Sequence, residues 1–182
     1  MEKSRKMLFD TICLHVSSKI TPEWITSTKT IKGNTQKSER VVIEKIKEVF
    51  TEMSLTYDEA PSQQSKDFRN IGGIGLDIEI KKTDSSVIIF NDTCPSPNIY
   101  YIIIFTGKTY KKQPDIPPQV LYMNGSAFLN GCDWMEEFIL ELNKLKDNYA
   151  RGEKKKQLPG IMSVYPRPTY RANILSFLKI IK

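Results

Sequence analysis

The residues whose types and spacing best suit chemistry lie in the run KDFRNIGGIGLDIEIKK, residues 66–82. Glu79 and Lys81 are two positions apart in a segment of alternating apolar and polar residues, so their side chains share one face of a strand. Asp67 precedes a glycine-rich turn and would come alongside them if the two sides of the turn pair antiparallel. Two carboxylates bind a hard divalent cation such as Mg²⁺, and a lysine can orient water or offset phosphate charge. Hydrolysis of a phosphodiester needs these groups.

Two further carboxylates are candidate ligands of the same cation. Asp77 shares the charged face with Glu79 and Lys81, so it is the alternative to Asp67 or a residue that contacts the metal through water. Glu39 is in the first turn of a predicted helix and projects about 40° from the centre of its apolar stripe, which directs it toward the core. Glu44 and Glu48, among the other acidic residues of that helix, face away from the stripe and are expected to be solvated.

The elements that position these residues follow from hydrophobic periodicity. Period-two alternation from Ile74 to Ile80 predicts a strand with one apolar and one charged face. After a turn at 84–86, residues 87–90 predict a second strand in a hairpin with the first. The nearly all-apolar Tyr100–Phe105 predicts a central strand buried on both faces, and a short strand is expected at 120–123.

Helices are predicted on both sides of this group of strands. The four-residue spacing of apolar residues indicates a helix at 3–19, and a stronger stripe indicates one at 39–53, with Ser38 as its N-cap. A third helix is expected at 134–149 and a short terminal one at about 172–180. The predicted fold class is therefore α/β or α+β, a single domain with a mixed central sheet flanked by helices.

Composition limits the classes of function. The chain has 182 residues, with 27 Lys and Arg against 21 Asp and Glu, a net charge of +6 that mildly favours an anionic partner such as nucleic acid. The longest apolar run, Ile99 to Phe105, is far shorter than the roughly 20 residues of a membrane-spanning helix, so no membrane is expected. Three cysteines without CxxC spacing suit a reducing cytoplasm, and a single histidine excludes a multi-histidine metal site.

Asp67, followed by eleven residues and then Glu79-Ile80-Lys81, resembles the motif of the PD-(D/E)xK nuclease superfamily, and within it the type II restriction endonucleases. The resemblance implies a restriction-endonuclease-like core, with Asp67 and Glu79 as Mg²⁺ ligands and Lys81 as the catalytic lysine. Some members add a carboxylate from the preceding helix, for which Glu39 is the better match. Residues 75–92 are also similar to small NgoPII-like restriction enzymes. The sequence departs from the family pattern at Lys66, where a proline is common.

From this resemblance we expect an endodeoxyribonuclease of a restriction–modification system that needs Mg²⁺, with Mn²⁺ as a substitute. Cutting both strands of a palindrome in double-stranded DNA calls for a homodimer. The catalytic core would span about residues 39–150, with the basic segment 151–182 contacting DNA. The candidate DNA-binding residues are basic side chains in three loops: Lys111, Lys112, Lys154, Lys155, Arg167 and Arg171.

Three other interpretations are open at this point. Glu79 and Lys81 could lie on the wet face of an edge strand, where charged pairs discourage aggregation. The chain could be a structure-selective or repair nuclease of the same superfamily. It could also be a non-catalytic basic module that binds nucleic acid, with steep salt dependence and no metal-dependent cleavage.

Overall fold

The computed structural model contains four α-helices in the part of the chain that it describes: α1 (Glu2–Lys19), α2 (Pro22–Ser27), α3 (Thr35–Glu52) and α4 (Met135–Leu145). Between α1 and α2, Thr21 caps the second helix, since its hydroxyl oxygen accepts a hydrogen bond from the Trp24 N–H at 3.2 Å. The described residues are 2–28, 35–59, 67–91, 94–107, 116–129, 133–145, 147–148 and 169–179. No helix among them is long and apolar enough to cross a membrane.

The described strands form two sheets. They are β1 (Asp58–Glu59), β2 (Phe68–Ile71), β3 (Leu76–Thr83), β4 (Val87–Asn91), β5 (Tyr100–Phe105), β6 (Gln119–Asn124) and β7 (Thr169–Asn173). The larger sheet has the order β1-β2-β3-β5-β6, so β3 is its central strand. Its neighbouring strands are antiparallel except β3 and β5, which are parallel. The smaller sheet is the antiparallel pair of β4 and β7.

Each face of the larger sheet covers its own apolar core. On one face, α1 and α3 bury residues such as Ile12 and Val42 against Ile78 and Ile80 of β3. On the other face, β4, β7 and a short 3-10 turn at Gly125–Phe128 pack on β5, with Phe90 and Tyr101 in the centre. Because β3 is covered on both sides, the polar side chains along it lie close to the molecular interior.

The turn between β2 and β3 is tight and depends on glycine. Gly72 and Gly73 have φ angles of 66° and 71°, which lie in the left-handed region that other residues disfavour. Asn70 is also left-handed, and its side-chain oxygen accepts a hydrogen bond from the Gly75 N–H at 3.0 Å. The turn therefore brings the segment that begins at Asp67 back along β3, as the sequence predicts.

Several expectations from the sequence are confirmed. The first helix lies where the apolar spacing predicts it, β5 has the predicted bounds, and the chain combines helices with a mixed sheet. The helix predicted at 39–53 is present but begins at Thr35, so Ser38 lies within its first turn and is not the N-cap. The strand that was expected from Ile74 begins at Leu76 because the turn extends through Gly75.

Two expectations about the outer elements are wrong. The strand after the 84–86 turn exists but pairs with β7, because β2 and β5 already occupy both edges of β3. Ala172 lies in β7, since Ala172 and Ile174 are buried at the period-two spacing of a strand, and the terminal helix expected at about 172–180 is a 3-10 turn at Leu175–Phe177. The predicted mixed central sheet with flanking helices is present, with α1 and α3 on one face and the small sheet on the other. The helix predicted at 134–149 is present as α4, and Trp134 and Phe138 are exposed.

Candidate functional site

Glu79 and Lys81 form an ion pair on the central strand. Glu79 Oε1 contacts Lys81 Nζ, and only 6% of Glu79 is exposed. The interpretation of this pair as the wet face of an edge strand is therefore wrong, because β3 has a neighbour on each side and the carboxylate is buried. A buried carboxylate is costly unless a cation or hydrogen-bond donors compensate for the lost solvation.

Asp67 is held against the same motif by a backbone hydrogen bond. Its Oδ2 accepts from the N–H of Ile80, the residue between Glu79 and Lys81, at 2.6 Å. Asp67 immediately precedes β2, whose Phe68 pairs with Ile78 of β3, so the antiparallel hairpin places it beside the motif. The structure thus brings together the three residues that the sequence singles out.

Glu39, Asp67 and Glu79 form a group that we call the acidic cluster, because Asp67 and Glu39 act electrostatically on Glu79, and Asp67 also acts on Glu39. Burial is the largest cause that raises the pKa of Glu79, and Lys81 opposes it, while Asp67 and Glu39 raise the pKa further. Burial also raises the pKa of Asp67, against the opposing effects of the Ile80 N–H and Lys81. Burial therefore disfavours the charged forms of Asp67 and Glu79, and Lys81 favours them.

Glu39 joins this cluster from the first part of α3. Its side chain is exposed rather than directed into the core as expected. Partial desolvation nevertheless raises its pKa, followed by the charge of Asp67, whereas Lys81 and Lys82 lower it. The N-terminal part of α3 thus lies close enough to the hairpin for Glu39 to interact electrostatically with Asp67.

An aromatic layer supports the ion pair from the side of the small sheet. Lys81 Nζ lies 5.4 Å from the centroid of the Phe90 ring, a cation–π geometry. Phe90 in turn packs edge-to-face on Tyr101, at 5.5 Å between centroids, and Tyr101 is the register neighbour of Glu79 on β5. The Tyr101 hydroxyl accepts from the Ser96 N–H at 3.2 Å, and burial raises its pKa well above the ordinary value. Tyr101 is therefore an uncharged side chain beside Glu79.

Asp77, the alternative to Asp67, has a structural contact in the hairpin. Its Oδ1 accepts a hydrogen bond from the Asn70 N–H at 3.0 Å, at the glycine end of the turn. Asp67 by contrast bonds to the backbone inside the Glu79–Lys81 motif. The geometry thus favours Asp67 over Asp77 as the partner of Glu79.

Two cations near the site were not singled out by sequence reasoning. The described residues contain three buried side-chain atoms without a hydrogen-bond partner, and two of them are Arg69 Nε and Lys82 Nζ. Lys82 follows Lys81 on β3, and burial lowers its pKa while Glu39 raises it. A buried donor without an acceptor costs about 1–3 kcal/mol, so an anion or water that accepted a hydrogen bond at either position would be stabilising. Only the double lysine in the sequence hinted at Lys82.

The predicted DNA-contacting residues are mostly beyond what the structure describes. Lys111, Lys112, Lys154, Lys155 and Arg167 lie outside the described residues. Arg171 is exposed on β7, opposite the exposed Ile89 of β4. The outer face of the small sheet therefore presents at least one cation to solvent.

Asp67 and Glu79 are the two carboxylates that the hairpin brings to the same point. No three side chains of the His, Cys, Asp and Glu types are grouped to hold a metal ion within the described ranges. Cys13 is a half-buried free thiol. Comparison of the chain with protein-family models, with curated proteins and with solved structures found no match.

Proposed function

We propose that the chain is a Mg²⁺-dependent endodeoxyribonuclease that hydrolyses phosphodiester bonds in double-stranded DNA, of the type II restriction class. One observation carries the proposal. The Asp67 carboxylate is bonded to the amide between Glu79 and Lys81, and Glu79 is buried on the central strand in contact with Lys81. A structural surface pair would have no need of a buried carboxylate or of a second carboxylate at the same point.

The donor set fits Mg²⁺. Carboxylate oxygens are the ligands that this hard cation prefers, and because it keeps several waters, one or two carboxylates together with substrate phosphate suffice. Burial raises the pKa of both Asp67 and Glu79, and Asp67 also raises that of Glu79, so a bound cation would stabilise the charged forms of both carboxylates. When bound, Mg²⁺ neutralises the scissile phosphate and lowers the pKa of a water. Asp67 and Glu79 would hold it, with Glu39 as a further carboxylate from α3.

The chain's own residues divide the remaining work. The Ile80 N–H fixes the orientation of Asp67, and the Phe90 ring and Glu79 fix the position of the Lys81 amine. Lys81 then orients the attacking water or offsets the charge that develops on the phosphorane. In-line attack leaves a 5′-phosphate and a 3′-hydroxyl, and a homodimer places one site on each strand of a palindrome.

The test is cleavage of mixed unmethylated phage and plasmid DNA with Mg²⁺ or with EDTA, for the wild-type protein and two variants. Asp67→Asn keeps an oxygen that accepts the Ile80 N–H but removes the charge, and Lys81→Met keeps most of the lysine stem. The matched control is Lys144→Met on α4, which removes an exposed lysine from an ion pair with Glu141. Discrete fragments that need Mg²⁺, Asp67 and Lys81 but not Lys144 support the proposal.

Two other results would redirect the interpretation. Cleavage at junctions or flaps without a fixed sequence would indicate a structure-selective nuclease with the same site. Binding of DNA without cleavage on any substrate, equal for wild type and Lys81→Met, would refute the catalytic role and leave a basic binding module, consistent with the net charge of +6.

A further inference from the structure

Arg69 projects from the same face of the sheet as the Glu79–Lys81 pair. Its neighbour Phe68 is fully buried in the core beneath α3 and pairs with Ile78 of β3, which lies in the same core. Because successive side chains of a strand alternate, Asp67 and Arg69 flank Phe68 on the opposite face. That face carries Glu79 and Lys81.

The Nε atom of Arg69 is buried without a hydrogen-bond acceptor among the described residues, while the side chain as a whole is half-buried. Asp58 on β1 is directly opposite in register but is exposed, and no ion pair links the two. Lys81, the other cation on this face, is already paired with Glu79. Arg69 is therefore a partly desolvated cation that forms no ion pair with another residue of the described part of the chain, although carboxylates lie on the same face.

The chemistry of Arg69 suits a phosphate. A guanidinium presents a rigid planar fork of N–H donors that matches two oxygens of a phosphate, and it stays charged at any working pH. Two residues of a strand advance about 7 Å, so Arg69 is one step away from Asp67 along the hairpin. Arg69 thus lies next to the carboxylates proposed to bind the cation, at a separate position along the strand.

We propose that Arg69 binds a backbone phosphate of DNA next to the phosphate that is cleaved. This inference rests on the proposed nuclease function and adds a positioning contact to it. The contact fixes the register of the duplex on the hairpin, and it supplies a positive charge on a face that otherwise carries carboxylates and one neutralised lysine.

The test measures binding separately from cleavage. Fluorescence anisotropy follows a labelled 30-base-pair duplex of random sequence in EDTA, over a series of salt concentrations, with Arg69→Ala, Arg69→Lys and the control Lys144→Ala. Each phosphate contact contributes about 0.9 to the slope of log affinity against log salt. We expect Arg69→Ala to lower that slope by about one. Arg69→Lys should keep the slope and bind more weakly, because an ammonium lacks the fork, and Lys144→Ala should match the wild type.

The outcomes separate this inference from the proposed function. A wild-type slope in Arg69→Ala, a loss equal to that of Lys144→Ala, or no duplex binding by the wild-type protein would overturn the inference, whether or not the protein cleaves DNA. A lowered slope without Mg²⁺-dependent cleavage by the wild-type protein would support the phosphate contact while refuting the nuclease. If Arg69→Ala does not fold by thermal melting, Arg69→Lys decides, because wild-type affinity in that variant also overturns the inference.

Discussion

Replacement of Lys81 by methionine separates the charge of this residue from its packing. Methionine keeps an unbranched apolar side chain against Phe90 but removes the ammonium that contacts Glu79. The carboxylate of Glu79 then remains in a site where only 6% of the residue is exposed. The variant therefore measures the cost of leaving this carboxylate without its cation.

The structure sets the size of the effect. Removal of one partner from a buried ion pair costs about 3–5 kcal/mol, and the lower end applies because the Lys81 side chain is 20% exposed and water can partly replace it. We expect a loss of about 3 kcal/mol in the free energy of unfolding. For a chain of this size that corresponds to about 6–12 °C in Tm. Lys144→Met, in an ion pair whose side chains are 57% and 62% exposed, should change Tm very little.

The loss of unfolding free energy in Lys81→Met must also depend on pH. Burial raises the pKa of Glu79, as do the charges of Asp67 and Glu39, and Lys81 is the main group that lowers it. Removal of the lysine charge in Lys81→Met should therefore raise the pKa of Glu79 further. A carboxylate whose pKa is higher in the folded than in the unfolded protein destabilises the fold at a pH above its folded pKa. That penalty fades as the pH falls through the folded pKa. The deficit of Lys81→Met should thus be largest near pH 8 and shrink toward pH 5.

The assay is urea or thermal unfolding of wild type, Lys81→Met and the double variant Glu79→Gln/Lys81→Met at pH 8 and pH 5. The double variant removes both charges and should recover most of the loss at pH 8. An equal loss at both pH values, or no recovery in the double variant, would refute the idea that a buried, charged Glu79 depends on Lys81.

The remaining predictions concern the acidic cluster, the hairpin and the 3-10 turn. Because the pKa of each carboxylate in the cluster is raised, the wild-type protein in EDTA should gain stability as the pH falls from 8 toward 5.5. Mg²⁺ should raise the Tm more at pH 8 than at pH 5.5. A Tm that responds neither to pH nor to Mg²⁺ would contradict this prediction. Asp77→Asn should retain DNA cleavage, since its amide oxygen still accepts the hydrogen bond from the Asn70 N–H. Complete loss of cleavage in a normally folded Asp77→Asn variant would indicate that Asp77 is a metal ligand. Gly125→Ala should lower the free energy of unfolding by about 3 kcal/mol or more, because its Cβ would lie 2.0 Å from the Ser96 carbonyl oxygen; a wild-type Tm would show that this close approach is absent.

The candidate site could be predicted from the sequence because its determinants are local. A glycine turn and a period-two pattern are both visible within residues 66–82, and they suffice to place Asp67, Glu79 and Lys81 together. The period-two pattern cannot show which strands lie on either side of β3, so the sequence alone does not decide whether Glu79 is exposed to solvent or buried. That question depends on pairing with β5, which is set by packing across the whole sheet.

The outer elements were harder to predict for the same physical reason. Residues 87–90 have the composition of a strand, but their partner, β7, is far along the chain and shows no complementary pattern. Likewise, Arg69 and Lys82 are ordinary charged residues in the sequence, and only the three-dimensional surroundings reveal a donor without an acceptor. Burial and pairing are properties of neighbours in space, which composition and spacing do not encode.

The pairing of β4 with β7 has a consequence for how the protein is made. The central sheet joins residues between Asp58 and Asn124, so it can form on the ribosome before the segment of β7 has been synthesised. Phe90, which supports Lys81, is held in part by Tyr170 at 6.0 Å between ring centroids, and the Tyr170 hydroxyl donates to the Phe128 carbonyl oxygen. The aromatic packing against Lys81 is therefore completed late in synthesis. In a nascent chain the hairpin of β2 and β3 would form first, and the position of the Lys81 amine would be fixed last.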